Sequence, residues 1–149
     1  MVVMQIIIYQ VYGCGYTSAA IILSMYGVDM NPQEVYEASG TWSDLIATKC
    51  GVEKQVRGSF GDPASQLSSS DQEYILNWLL AGNPAILFVL KSAGTSLTGA
   101  SQHYVALLDV DDSKTQVYIS NPWDGGRPTG WIDTATLFHG AVGVYLFRK

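Results

Sequence analysis

The N-terminal part of the chain is dominated by apolar residues, which one short glycine-bearing stretch interrupts. Residues 1–9 are rich in Val and Ile and predict a buried strand. Residues 12–15 predict a turn. Residues 17–26 are apolar nearly all round, which is typical of a central buried helix, and Gly27 suits the position just after its end. The pattern therefore predicts strand, turn and helix in that order.

Capping residues predict two shorter helices after this one. Residues 31–34 read Asn-Pro-Gln-Glu, and they predict a helix start because Asn can cap, Pro fits the first helical position and Glu can close a capping box. We expect this helix to end near Gly40. A third helix is predicted to begin at Thr41 or Ser43 and to run to Lys49.

A polar segment separates these helices from a fourth. Residues 55–69 carry Gly and Ser and predict a short strand followed by a loop. Ser70 is the predicted cap of the next helix, with Glu73 at its third position as a second capping box. The sequence Gly-Asn-Pro at 82–84 ends that helix.

Strand patterns dominate the second half of the chain, and polar turns separate them. Asp133 is the predicted cap of a short helix over residues 134–138. The predicted strands cover residues 85–91, 103–110, 116–120 and 141–148. Helices first and an antiparallel sheet second define an α+β fold. We find no repeat or internal linker, and we expect a single domain over residues 1–149.

Composition excludes several classes of protein. The chain has 149 residues, of which 48% are hydrophobic and 14% charged, so it can form a full core and has too little charge for disorder. Its net charge is −5 and its basic residues are scattered, so we expect no nucleic-acid partner. No apolar run reaches the ~18 residues of a membrane span. The N-terminus lacks the features of a signal peptide, so we expect a cytosolic protein, or a mature or excised domain.

The two cysteines have different sequence contexts. Cys50 has the context of a small buried hydrophobe, whereas Cys14 lies between Gly13 and Gly15 at the start of the apolar helix. A disulfide between the two cysteines stays open for an oxidising compartment. No Cys-x-x-Cys pair exists to hold zinc, and we expect no metal and no organic cofactor.

The position of Cys14 favours a nucleophile. Cysteine attacks as the thiolate, so its pKa of about 8.5 must be lowered, and the unpaired N–H groups at a helix N-terminus favour an anion. The flanking glycines leave the sulfur open to a substrate. The Cys14 N–H can also point at a developing oxyanion.

A nucleophilic thiolate needs a base and a residue that orients the base. The chain offers His103, which opens a predicted strand, and His139, which lies in an apolar stretch; we favour His103. Asn121 follows the next strand, and the start of one hairpin strand lies beside the end of the other. His103 and Asn121 are therefore expected to be neighbours.

The segments around these residues resemble papain-like cysteine peptidases. The resemblance is carried by "GCGYTSAAIILSMYG", "NPQEVYEAS" and "SQHYVALLDVDDSKTQVYISNPW", and it is greatest to the bacteriocin-processing (double-glycine) peptidase-like group. It covers residues 10–149 and implies Cys14 as nucleophile, His103 as general base and Asn121 as the orienting residue, where that group usually has aspartate. The oxyanion glutamine of the group usually lies further upstream of the cysteine than Gln10 does here; we favour Gln10, with Gln5 or the backbone alone as alternatives.

The resemblance also implies an activity and a class of substrate. The fold would be papain-like, and the activity would be cysteine-dependent hydrolysis of a peptide or isopeptide bond in a protein or in a bacterial cell-wall peptide. Members of the group favour an extracytoplasmic or secreted bacterial or phage protein. The alternative is a non-proteolytic module, which binds a peptide or acts as a delivered toxin on another target such as RNA. The oligomeric state stays open.

Overall fold

Five helices and six strands make up the described part of the chain. The structure is a computed structural model that describes residues 2–38, 40–60, 66–90, 102–120 and 129–149, with side chains from residue 13 onward except that of residue 102. The helices are α1 (Val2–Met25), α2 (Pro32–Glu37), α3 (Trp42–Cys50), α4 (Ser69–Leu80) and α5 (Thr134–Phe138). The strands are β1 (Glu53–Gly58), β2 (Ala85–Leu90), β3 (Gln102–Val110), β4 (Gln116–Ser120), β5 (Gly130–Asp133) and β6 (Ala141–Arg148).

The six strands form one antiparallel sheet in the order β1-β6-β2-β3-β4-β5. Because successive strand residues face opposite sides, Ile86 packs with helices α1 to α3 while Leu87 packs with α4 and α5. Helices therefore cover both faces, and both cores contain fully buried aliphatic side chains. The predicted α+β class with an antiparallel sheet is confirmed.

The capping signals of the short helices are confirmed. Asn31 Oδ1 accepts from the Glu34 N–H at 2.8 Å, and Glu34 Oε1 accepts from the Asn31 N–H at 3.1 Å, which completes the predicted capping box of α2. Thr41 caps α3, and Gly51 ends it in the left-handed conformation, with φ 64°. Local side-chain chemistry therefore determines where these helices begin and end.

The predicted N-terminal strand is wrong, because residues 2–9 belong to helix α1. A continuous apolar run has neither the period of a strand nor that of a helix, so its pattern does not distinguish the two. Among the described residues, no helix is both long enough and apolar enough to cross a bilayer.

Two further predictions need correction. Helix α4 is capped by Ser68, whose side chain accepts from the Asp71 N–H, and not by Ser70 with Glu73. Each of the three consecutive serines could cap the helix. Leu67 is buried in the core, and this fixes Ser68, the serine that follows it, as the cap. Strand β5 was not predicted, because four residues are too short to show an alternating pattern.

Candidate active site

Helix α1 is divided at Gly13, and this break makes Cys14 the first residue of a new helical segment. Gly13 has φ 83° and ψ 170°, a combination that only glycine adopts readily. The Thr17 hydroxyl donates to the Gly13 carbonyl at 3.0 Å across the break. Cys14 therefore lies in the first turn of the segment that follows, where backbone N–H groups have no partner within their own helix.

The sulfur of Cys14 lies against the start of strand β3. The backbone N–H of Tyr104 donates to Cys14 Sγ at 3.2 Å, and Tyr104 directly follows His103, which is fully buried. Cys14 is half-buried. The structure thus places Cys14, the predicted nucleophile, against the peptide bond between His103, the predicted base, and Tyr104.

The other histidine lies elsewhere. His139 is exposed and ends helix α5, whose apolar residues pack on the sheet face opposite α1. The second cysteine, Cys50, is partly buried at the end of α3, and burial raises the pKa of its thiol. Both cysteines are described, and they are not joined in a disulfide.

The remaining predicted site residues lie outside what the structure describes. Asn121 falls between the described ranges; the last described residue before it, Ser120, pairs with Ala106 of β3. The expected hairpin of β3 and β4 is present up to that point. The backbone of Gln5 and Gln10 belongs to α1, but their side chains are outside the described set, so these assignments stay predictions.

Gly15 has a packing role that the sequence did not indicate. A Cβ at this position would lie 2.8 Å from Trp42 Nε1 and 3.5 Å from Tyr104 Cδ2. The indole of Trp42 therefore packs directly on the backbone one residue beyond Cys14. Beyond the expected access to the sulfur, which stays a prediction, Gly13 supplies a backbone conformation and Gly15 supplies room for a ring.

Aromatic side chains continue from Trp42 along a groove of about 580 Å³. The Trp42 ring makes edge contacts with Tyr104 and Tyr145, at centroid distances of 5.1 and 5.0 Å. Phe60 stacks on Tyr145 at 4.6 Å, and Tyr16 also lines the groove. These rings form an aromatic wall that includes Tyr104, whose N–H contacts Cys14 Sγ.

The groove carries little net charge. Lys54 Nζ lies 2.5 Å from Asp44 Oδ1, and the bonds from Lys54 and from the Thr41 hydroxyl lower the pKa of the Asp44 carboxyl. Burial, with smaller contributions from Tyr145 and Cys14, raises the pKa of Tyr104 to about 12. Burial also raises the pKa of Tyr145, so the described lining presents the neutral phenols of Tyr104 and Tyr145 and an ion pair between Lys54 and Asp44.

Ser18 is a site residue that sequence reasoning missed. It is fully buried, and its hydroxyl donates to the Tyr104 carbonyl at 3.4 Å. The available signal was its spacing from Cys14, because residues four apart lie on the same face of a helix.

Within the described ranges, no group of three or more His, Cys, Asp or Glu is placed to hold a metal ion.

The chain belongs to the Peptidase_C39 like family, whose model matches residues 3–141. Membership supports a function of the cysteine peptidase type. The crystal structure of a Bacillus anthracis protein named as a C39-like peptidase matches with a TM-score of 0.60 at 12% identity, over 93% of this chain and 90% of that chain. This likeness establishes the C39-like peptidase fold, and the predicted resemblance is confirmed.

A second solved structure also matches over most of both chains. It is the N-terminal peptidase C39 like domain of the toxin secretion ATP-binding protein from Vibrio parahaemolyticus, at 13% identity and a TM-score of 0.46, over 91% of this chain and 96% of that chain. No curated protein matches the chain.

Proposed function

We propose that this protein is a cysteine peptidase or amidase that hydrolyses a peptide or isopeptide bond through Cys14. The observation that carries the proposal is the contact of Cys14 Sγ with the Tyr104 N–H. It sets a sulfur at the first turn of a helix against the residue that follows a buried histidine. The start of a helical segment favours a thiolate, and a histidine one residue from the contact is the candidate for its base.

The proposed reaction proceeds by acyl transfer to sulfur. His103 takes the proton of Cys14, and the resulting thiolate attacks the carbonyl carbon of the amide, so that the carbonyl oxygen becomes an oxyanion. His103 then gives its proton to the leaving amine as the C–N bond breaks, which leaves a thioester on Cys14. His103 takes a proton from water as the water attacks the thioester carbon; the C–S bond then breaks, which releases the acid and restores the Cys14 thiolate beside protonated His103.

The other assignments in this mechanism rest on the sequence resemblance and on the choice of glutamine made from it. Asn121 would accept a hydrogen bond from the ring nitrogen of His103 and so hold its orientation. Gln10 would donate its side-chain amide to the oxyanion. Removal of an oxyanion donor commonly lowers kcat by about 100- to 1,000-fold, so Gln10→Ala should give that loss, whereas Gln5→Ala should leave kcat near the wild-type value.

The aromatic groove supports a polypeptide substrate. Its volume of about 580 Å³ lies in the range of small-molecule sites, about 300–1,000 Å³, and its lining includes Tyr104, whose N–H donates to Cys14 Sγ. Its compensated charges favour neither an acidic nor a basic group. A protein and a cell-wall peptide remain the two substrate classes, and we propose no nucleic acid, metal or cofactor for the reaction.

The first test measures whether Cys14 is activated. Limiting iodoacetamide at pH 7, followed by peptide mass spectrometry, should alkylate Cys14 faster than Cys50 by at least about tenfold, since both thiols are in the same molecule and burial raises the pKa of Cys50. His103→Ala should abolish this preference, and His139→Ala serves as the matched control that should retain it.

The second test measures turnover. The protein is incubated with purified peptidoglycan and with an unfolded protein, and new termini are identified by mass spectrometry. Cleavage by wild type and by Cys50→Ser, but not by Cys14→Ser, is the expected result. Equal, slow alkylation of both cysteines without cleavage would contradict the proposal and favour a peptide-binding module.

A further inference from the structure

The backbone of Tyr104 is bonded to helix α1 through both of its polar groups. Its N–H donates to Cys14 Sγ at 3.2 Å, and its carbonyl accepts from the Ser18 hydroxyl at 3.4 Å. In an antiparallel strand the N–H and the C=O of one residue point to the same edge. One edge of β3 is therefore held at Tyr104 by side chains of a helix.

This contact lies just beyond the last described pair of β3 with β4, which joins Ala106 to Ser120. Tyr104 is two residues before Ala106, so its bonding groups face the same edge in the strand pattern. Cys14 and Ser18 are one helical turn apart and lie on the same helix face. The two side chains thus bond the two groups of a single strand residue.

We propose that Ser18 is a positioning residue for the nucleophile. By donating to the Tyr104 carbonyl, Ser18 holds that residue so that its N–H points at Cys14 Sγ and stabilises the thiolate. A hydrogen bond to the charged form of an acid lowers its pKa, and bonds to ions are stronger than bonds between neutral groups. This inference rests on the proposed function, in which Cys14 reacts as a thiolate.

The ionisable side chains of the two residues that share the donating peptide do not replace the Tyr104 N–H as a donor to the Cys14 thiolate. His103 and Tyr104 flank the donating peptide on β3. The pKa of Tyr104 is raised to about 12, mainly by burial, so its phenol stays neutral throughout the range in which a thiol titrates. The Tyr104 N–H is then the backbone donor on this strand that favours the anion, next to the proposed base His103.

The test measures the pH dependence of Cys14 alkylation by iodoacetamide in wild type and in Ser18→Ala. We expect the midpoint of the profile to rise by about one pH unit in the variant, the size of one hydrogen bond to a charged group. Well below the midpoint the rate should fall roughly threefold, because fewer thiolates are present but each is more nucleophilic. Ser24→Ala is the matched control, since Ser24 lies on the same helix and its hydroxyl donates to the Ile21 carbonyl. Its midpoint should equal that of wild type.

A second measurement needs no change at Ser18. In wild type, the amide proton of Tyr104 observed by NMR should titrate with the midpoint found for Cys14 alkylation, and this titration should vanish in Cys14→Ser. A Tyr104 amide that does not respond to Cys14 overturns the proposal, including when Ser18→Ala fails to fold.

The outcomes distinguish failure of the Ser18 proposal from failure of the proposed peptidase function. A wild-type Cys14 that reacts no faster than Cys50 refutes the proposed function itself. An activated wild-type Cys14 whose midpoint is unchanged in folded Ser18→Ala leaves the proposed function standing and overturns the positioning role of Ser18.

Discussion

Substitution of Gly15 by alanine tests the packing next to the nucleophile. The added Cβ would lie 2.8 Å from Trp42 Nε1 and 3.3 Å from Trp42 Cε2. Trp42 cannot simply move aside, because its ring is in edge contact with both Tyr104 and Tyr145. The substitution therefore forces a side-chain cluster to shift.

Two opposing effects determine the size of the change. Overpacking a core commonly costs about 1–3 kcal/mol, whereas alanine in place of glycine within a helix gains about 1 kcal/mol. We expect the free energy of unfolding of Gly15→Ala to fall by about 1 kcal/mol, which lowers Tm by about 3 °C for a chain of this size. Without Trp42 the helix preference alone would act, and the same substitution would stabilise.

The assay is a double-mutant cycle measured by urea unfolding followed by circular dichroism. In a Trp42→Phe background, which lacks the indole N–H and the fused ring, Gly15→Ala should raise the free energy of unfolding by up to about 1 kcal/mol. A coupling of about 1–3 kcal/mol follows. Stabilisation by Gly15→Ala in the wild-type background, or the same change in both backgrounds, would refute the steric reasoning.

Two other substitutions test features of the fold. Ser68→Ala should lower the free energy of unfolding by about 1 kcal/mol in urea melts, as expected for loss of a helix cap, while Ser70→Ala should have little effect; the reverse order would restore the cap that the sequence suggested. Bonds from the Gln116 and Thr115 N–H groups and from nearby hydroxyls lower the pKa of Asp111 to about 2, against an ordinary value of 3.8. A depressed carboxyl pKa stabilises the fold above about pH 4, and this contribution is lost as the pH falls towards about 2. The Tm of wild type should therefore drop relative to that of Asp111→Asn over this interval, and a Tm difference independent of pH would contradict the assignment.

Elements marked by side-chain capping were the most predictable from sequence. The Asn31 and Thr41 caps depend on residues within one turn of the helix start, so a short window contains the whole signal. Residues 1–9 carry no such cap, and their uniform apolarity fits either element. The short strand β5 exists because it pairs with β4, and a long-range partner is invisible to a local pattern.

The site was predictable to a similar extent. The break at Gly13 and the β3–β4 hairpin are local features, and together they indicated that Cys14 starts a helical segment and that His103 starts a strand. The contacts between these elements depend instead on long-range packing. The Tyr104 N–H meets Cys14, and Trp42 packs on Gly15, only because α1 and α3 lie on one face of the sheet, which no local spacing specifies.

The strand order has a consequence for how the chain assembles. Strand β6 lies between β1 and β2, although it follows both in the sequence. During synthesis, β1 emerges early and has no strand partner among the described elements until β6 has left the ribosome. Pairings of such long sequence separation slow folding, so the nascent chain would carry an unpaired strand while residues 59–140 are synthesised and would be open to chaperones during that interval.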